Sequence, residues 1–185
     1  MLENLRRDSI RYKPLGGWLT HAGFWIVAIY RFGVWCYAIP NPILRFPLRV
    51  LYRLARLPYH FFNVDLWAGR QGAKIGAGFC LIHPANIYIG RGVEIGENCK
   101  LFHEVTLGTG HIDGTPKLGN NVDVFVGARI LGGISIGNDC MVSANCVVTK
   151  DIPPGSIVVS APNRTIPRAL SPRARGLDLN DKPIE

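Results

Sequence analysis

The chain has 185 residues, of which 48% are hydrophobic and 18% charged. That length suits one compact domain, or a repeat domain with a small helical attachment, and that composition excludes wholesale disorder. The net charge of +8 is uneven: residues 1–70 carry ten Lys/Arg against three Asp/Glu, and residues 71–185 carry eleven against ten. The basicity therefore belongs to the N-terminal segment, where nucleic acid, an anionic membrane surface and simple solubility are the readings to weigh.

The chain opens on a polar, basic run without the apolar core and cleavage-site pattern of a signal peptide, so a cytoplasmic location is expected. Apolar and aromatic residues then dominate 15–39, which predicts one helix there, a break at Pro40-Asn41-Pro42, and a second helix over 43–57 ended by Pro58. Arg45, Arg49 and Arg53 recur every four residues and make a basic stripe on that second helix. The uncharged stretch 14–30 is at the short edge for a membrane span, and Pro14, Gly16, Gly17 and His21 weaken it further. Residues 1–70 are thus expected to form a helical region packed on the rest of the chain or on neighbouring subunits. Peripheral contact with the inner face of a membrane through residues 1–60 is the alternative. The basic residues lie among core-like aromatics with no recognised binding motif, so nucleic acid is not an expected partner.

From residue 75 the sequence falls into sixes. Apolar residues lead at Ile75, Leu81, Ile87, Ile89, Ile95, Leu101 and Leu107, and resume at Leu118, Val124, Ile130, Ile136, Val142 and Val148. The fourth residue after a lead is usually small or apolar, as at Val93, Cys99, Val105, Val122, Ala128, Ile134, Cys140 and Cys146. Six fits neither the helical period nor a long alternating strand. It fits short strands joined by tight turns, three to a triangular coil, each lead pointing inward. This β-helix is expected over 71–160, with a Pro- and Arg-rich tail over 161–185 that is expected to be loosely ordered beyond about 170. Two interruptions stand out: a two-residue shift of the lead from Ile87 to Ile89, and five extra residues between Leu107 and Leu118. Insertions on a repeat scaffold usually serve a binding face.

The five cysteines are odd in number and show no metal-like spacing, so they are expected to be reduced, packed side chains, and no metal site is expected. His83 and His103 each follow a lead by two places and lie one coil plus the two-residue insertion apart. That register stacks them in adjacent coils, about 5 Å apart, the spacing of neighbouring strands, and close to the long loop. A lone histidine is more often structural, whereas two in register beside an insertion point to a site. His103 stays open between a partner for substrate or imidazole and a turn residue, and His111, on the loop, between a second catalytic histidine and a solvent-facing residue. A hydroxyl becomes a competent nucleophile at neutral pH when a base such as imidazole removes its proton. Backbone amides near Gly108–Gly110 would suit the developing oxyanion. No cysteine or serine sits in a nucleophile-elbow context, so none is expected to act as a covalent nucleophile.

The segments Leu-Ile-His-Pro (81–84), His-Glu-Val-Thr-Leu-Gly (103–108), Pro-Lys-Leu-Gly (116–119), Ala-Arg-Ile-Leu-Gly (128–132) and Val-Val-Thr-Lys-Asp-Ile-Pro (147–153) carry a family likeness. The chain resembles the hexapeptide-repeat acyltransferase superfamily, and within it the serine O-acetyltransferases and the colanic-acid-type polysaccharide O-acetyltransferases. The resemblance implies a mainly β fold, a left-handed parallel β-helix of hexapeptide repeats with a small N-terminal α-helical region. It also implies a homotrimer with active sites between subunits, and acetyl transfer from acetyl-CoA straight to a hydroxyl. By position His83 matches the family's catalytic histidine. Gly108, Ala128, Ala144, Thr149, Lys150 and Arg164 are the implied acetyl-CoA contacts, the last two as cations for its phosphates.

The chain also departs from the serine enzymes. The carboxylate that precedes their histidine is replaced by Ile82, and a second one, fifteen positions upstream, falls on Ala68. Asp65, Glu104 and Asp113 remain as candidates to orient the imidazole. The loop reads Asp113-Gly114-Thr115-Pro116 where the serine enzymes have Asp-Arg-His-Pro, so an anion-holding arginine and a histidine are missing. A neutral sugar hydroxyl in exopolysaccharide, capsule or O-antigen synthesis is the expected acceptor on that ground. Serine is the alternative, and a non-catalytic β-helix that binds CoA or a protein is the alternative from another class.

Overall fold

The computed structural model describes residues 1–69 and 71–161. Helix α1 (Leu2–Arg11) leads through a short 3₁₀ turn, Lys13–Leu15, to α2 (Ala22–Ala38), α3 (Pro42–Ala55) and the single turn α4 (Pro58–Phe62). Two helices expected from sequence are there, with different limits. α2 begins seven residues later than the apolar run because Gly16 and Gly17 hold φ of 95° and 99°, outside the helical region. Pro58 does not end structure: it opens α4 at the first helical position, where a missing N–H costs nothing. α1 had not been expected as a helix at all.

Strands follow in coils. The first coil holds β1 (Val64–Leu66), β2 (Lys74–Ile75) and β3 (Cys80–Leu81). The second holds β4 (Ile87–Ile89), β5 (Glu94–Ile95) and β6 (Lys100–Leu101), and the third β7 (Thr106–Gly108), β8 (Lys117–Leu118) and β9 (Asp123–Val124). The fourth holds β10 (Arg129–Leu131), β11 (Ser135–Ile136) and β12 (Met141–Val142), and β13 (Val147–Val148) and β14 (Ile157–Val158) close the stack. All pair in parallel and form three faces: β1-β4-β7-β10-β13, β2-β5-β8-β11 and β3-β6-β9-β12-β14. This is the left-handed β-helix with an N-terminal helical region that the hexapeptide period implies.

Every lead residue is buried. Ile89, Leu107, Ile130 and Val148 stack along the first face, Ile75, Ile95, Leu118 and Ile136 along the second, and Leu81, Leu101, Val124 and Val142 along the third. Burial of such a side chain contributes about 1.5–3 kcal/mol relative to exposure, so the ladders drive the winding. The corners need left-handed backbone, and Asn98, Asn121 and Asp139 supply it at successive coils with φ of 57°. Asparagine and aspartate tolerate that region better than other side chains.

α2 packs directly on this prism. A Cβ at Gly23 would sit 2.1 Å from the Leu81 carbonyl oxygen, so glycine is required for the helix to reach β3. Beneath it Asp8 of α1 and Arg31 of α2 form a buried ion pair (2.9 Å). Asp8 also accepts the Phe79 N–H, and Arg31 donates to the carbonyls of Ile75 and Gly76. The helical region is thereby fixed to the first coil.

Candidate active site

The edge between the third and first faces turns through Phe102–Val105, Phe125–Ala128 and Ser143–Cys146 in successive coils. At each turn one residue is left-handed: Glu104 at 60°, Gly127 at 69° and Asn145 at 57°. In the first coil Asn86 (53°) holds the equivalent place, and the turn before it, Ile82–Asn86, is longer than the others. The two extra residues therefore do not interrupt β4, where Tyr88 and Ile89 pair regularly with Thr106 and Leu107. They lengthen the corner that carries His83.

His83 itself has φ of 50°, a further left-handed position outside the regular ladder. A non-glycine residue there stores about 1–2 kcal/mol, and such strain persists only where the surroundings over-determine it. Here they do. Ile82 donates its N–H to the Leu101 carbonyl (2.8 Å), Asn86 donates to the Phe62 carbonyl (2.9 Å), and the Asn63 side-chain amide donates to that of Asn86 (2.8 Å). The third face and the end of α4 thus clamp the corner from two sides. The result is an imidazole held out on an exposed edge.

His103 lies one coil along, its ring 6.4 Å from that of His83 and tilted by 70°. The expected stacking is present at somewhat more than strand spacing, because the rings meet edge to face. His103 is half-buried, and its Nδ1 is buried without a hydrogen-bond partner among the described residues. A buried polar atom left unpaired asks for an explanation, and a bound ligand on this edge would provide one. Phe102 and Phe125 stack at 4.7 Å beside it.

The carboxylate positions resolve differently from the serine-enzyme pattern. Ile82 is buried against Tyr12, Phe24 and Cys80, an apolar cluster in which a carboxylate at this place would lose its solvation. Ala68 is buried too, where its methyl group faces Gly33 of α2, and its N–H meets the Tyr52 hydroxyl. Asp65 lies on the outer side of the first face, 3.9 Å from Arg56. Glu104 is exposed beside His103, and Asp113 sits on the long loop. Among the described residues neither imidazole is hydrogen-bonded to a carboxylate, so the geometry of the corner, more than an acidic partner, sets the orientation of His83.

The other sequence candidates fall on two edges. Ala128 and Ala144 lie on the histidine edge, but Ala128 is fully buried and its N–H and carbonyl bond to Phe125 and Thr106. Its side chain packs in the core of the coil, and Ala144 is half-buried. Gly108, His111, Thr149 and Lys150 lie on the edge between the first and second faces, at the far side of the first face from the histidines. The loop is therefore not close to His83 within one chain. It folds back along its own edge, where Gly133 donates to the Ile112 carbonyl (3.2 Å) and Glu94 to that of Pro116 (3.1 Å). Gly108 is buried at the end of β7, whereas Thr109, Gly110, His111, Thr149 and Lys150 are exposed. Arg164 lies outside the described residues.

Sequence reasoning missed a cavity of about 370 Å³ between these edges, lined by Asp65, Trp67, Tyr88, Arg91, Thr109 and Thr115 among others. Its signal was weak: residues from three separate segments meet only because β1 and β4 pair and Gly92 brings Thr115 over the corner. All five cysteines are buried, and burial pushes the Cys80 and Cys99 thiols up to about 11. At neutral pH the thiolate fraction of these two is far below that of a free cysteine, so neither Cys80 nor Cys99 is a poised nucleophile. Alkylation with iodoacetamide at pH 7.5 is accordingly expected to label native protein much more slowly than urea-unfolded protein. Rapid labelling of a native thiol, with loss of acetyl transfer, would contradict this.

A left-handed prism with a strained, exposed imidazole on one edge and a glycine-rich loop on the next defines the hexapeptide-repeat acyltransferase class. No family model matches the chain. The serine acetyltransferase of Helicobacter pylori (strain J99) is 38% identical over 138 residues, which cover 71% of this chain and 77% of that one. The chain belongs to the serine acetyltransferase family and is an O-acetyltransferase. Solved structures agree: serine acetyltransferase of Neisseria gonorrhoeae in complex with serine is 27% identical with a TM-score of 0.68, covering 89% of this chain and 68% of that one. A serine acetyltransferase complex with CoA is 25% identical with a TM-score of 0.68, covering 89% and 69%.

Proposed function

We propose that the protein moves an acetyl group from acetyl-CoA directly to the hydroxyl of serine or of a closely similar small acceptor, with His83 as the base. The observation that carries this reading is the strained, clamped corner that exposes one imidazole on a family scaffold whose relatives include serine- and CoA-bound structures. The neutral imidazole takes the hydroxyl proton as the oxygen attacks the thioester carbon. The tetrahedral oxyanion then collapses, the C–S bond breaks, and the CoA sulfur leaves with the proton returned by the imidazolium. The exposed amides at Thr109 and Gly110 are suited to the oxyanion, and Thr149 and Lys150 to the CoA phosphates.

The division of these groups between two edges supports a homotrimer in which the loop edge of one subunit faces the histidine edge of its neighbour. His103, with its unpaired Nδ1, completes the acceptor side. His111 reaches the site from the neighbouring loop. Five free, buried thiols and the use of acetyl-CoA support a cytoplasmic reaction, at the inner face of the membrane if the helical region meets it.

A second reading, a sugar hydroxyl as acceptor, has one observation in its favour. Asp113-Gly114-Thr115 leaves the loop without the arginine and histidine found in the serine enzymes, and so without their clamp for a carboxylate. The relatives named above are serine acetyltransferases, which favours serine over a polysaccharide acceptor. Release of CoA from acetyl-CoA, followed with a thiol reagent, separates the two. The first reading predicts faster release with L-serine than with free hexoses, and release driven by hexoses alone would replace serine with a sugar. A protein that binds CoA but drives no release with any hydroxyl would be the non-catalytic alternative.

A further inference from the structure

Helix α3 turns an apolar face to solvent. Ile43, Phe46, Val50 and Leu54 recur at three- and four-residue spacing, with Leu57 and Phe61 continuing the patch beyond its end. Ile43 is 80% exposed, Phe46 72% and Phe61 90%. The opposite side of the same helix holds Tyr52, which is buried, and Leu48, which packs on the core. An apolar face turned away from the core is not explained by folding, and contiguous exposed apolar patches mark interaction sites.

The charges beside the patch select its partner. Arg45, Arg49 and Arg53 run along one flank of α3, and Arg49 lies 4.5 Å over the Tyr37 ring, which holds it in place. Residues 9–64 contain no aspartate or glutamate, while they contain Arg11, Lys13, Arg31 and Arg56 besides that stripe. A second copy of the same surface would bring cations against cations with no acidic partner in the segment. An anionic phospholipid surface answers both features: headgroups meet the arginines, and the acyl boundary takes the apolar side chains. No helix among the described residues is long and apolar enough to cross a membrane. α3, at 14 residues, would lie in the interface rather than span it.

We infer that the exposed face of α3 and α4 docks the enzyme on a bilayer rich in anionic phospholipid, with α3 parallel to the surface. The inference does not depend on which acceptor is used. It places an acetyltransferase at the membrane, within reach of membrane-bound as well as soluble hydroxyls.

Co-sedimentation with vesicles tests it. The full chain should pellet with vesicles of equal parts phosphatidylcholine and phosphatidylglycerol, and remain in solution with phosphatidylcholine alone or in high salt. The double variant Ile43→Glu/Phe46→Glu should lose binding by about tenfold or more, as should Arg45→Glu/Arg53→Glu. Both should keep the circular dichroism of the parent and its CoA release with a soluble acceptor. Binding that survives both variants, or no binding by the parent, would overturn the inference. So would a particle mass that falls in Ile43→Glu/Phe46→Glu without any vesicle binding by the parent, since the face would then join copies of the chain. Failure of CoA release with vesicle binding intact would remove the catalytic reading and leave this one standing.

Discussion

Replacing Asp8 with alanine is expected to destabilise the fold by about 3–5 kcal/mol, the usual effect of breaking a buried ion pair from one side. Asp8 is fully buried and Arg31 nearly so. Removal of the carboxylate leaves the guanidinium buried with only the Ile75 and Gly76 carbonyls (2.6 Å each) to stabilise it, and orphans the Phe79 N–H. The damage should spread from α1 and α2 into the first coil, since all three are tied at this point. The double variant Asp8→Leu/Arg31→Met should recover much of the loss, because an apolar pair carries no unpaired charge. Urea midpoints at one fixed protein concentration measure both. A midpoint for Asp8→Ala equal to that of the parent would show that the pair does not hold the helices to the prism.

The second large effect is on activity. His83→Ala should lower kcat by roughly 10²–10⁴-fold, the usual contribution of general base catalysis, with little change in the unfolding midpoint. The two halves of this expectation have different causes. The ring is exposed, so its loss opens no cavity, whereas the one imidazole left beside it, His103, sits one coil away with its ring centre 6.4 Å from that of His83. Alanine also tolerates φ of 50° no better than histidine, so the corner strain remains. His103→Ala should act on acceptor KM more than on kcat if the ring orients the acceptor. An unchanged rate for His83→Ala would require another base and would redirect attention to His103.

The six-residue rhythm made the prism legible because inward positions repeat without exception: each lead from Ile75 to Val148 is buried, and so are Val93, Cys99, Val105 and Cys146 between them. His83 and His103 were legible for the same reason, since register along a repeat is arithmetic. What escaped depends on contacts between distant segments. That Ile82 is core follows from its packing with Tyr12 and Phe24, both far upstream in the chain. α1 is mostly polar and gains its place from Asp8, whose partners Arg31 and Phe79 are far along the chain. The loop's distance from His83 escaped because proximity had been judged along the sequence, while the first face stands between the two edges. Ala128 was harder to read because small residues serve the core of a coil and a ligand groove alike, and its side chain is buried in the core.

One measurement bears most directly on the central claim, direct acetyl transfer at the His83 corner. Parent and His83→Ala proteins are incubated with acetyl-CoA and L-serine, and both acceptor and intact protein are weighed by mass spectrometry. The account predicts O-acetylated acceptor from the parent alone, with no acetyl group on either protein. Product from His83→Ala at the parent's rate, or acetylated protein that accumulates and then passes its acetyl group to the acceptor, would contradict it.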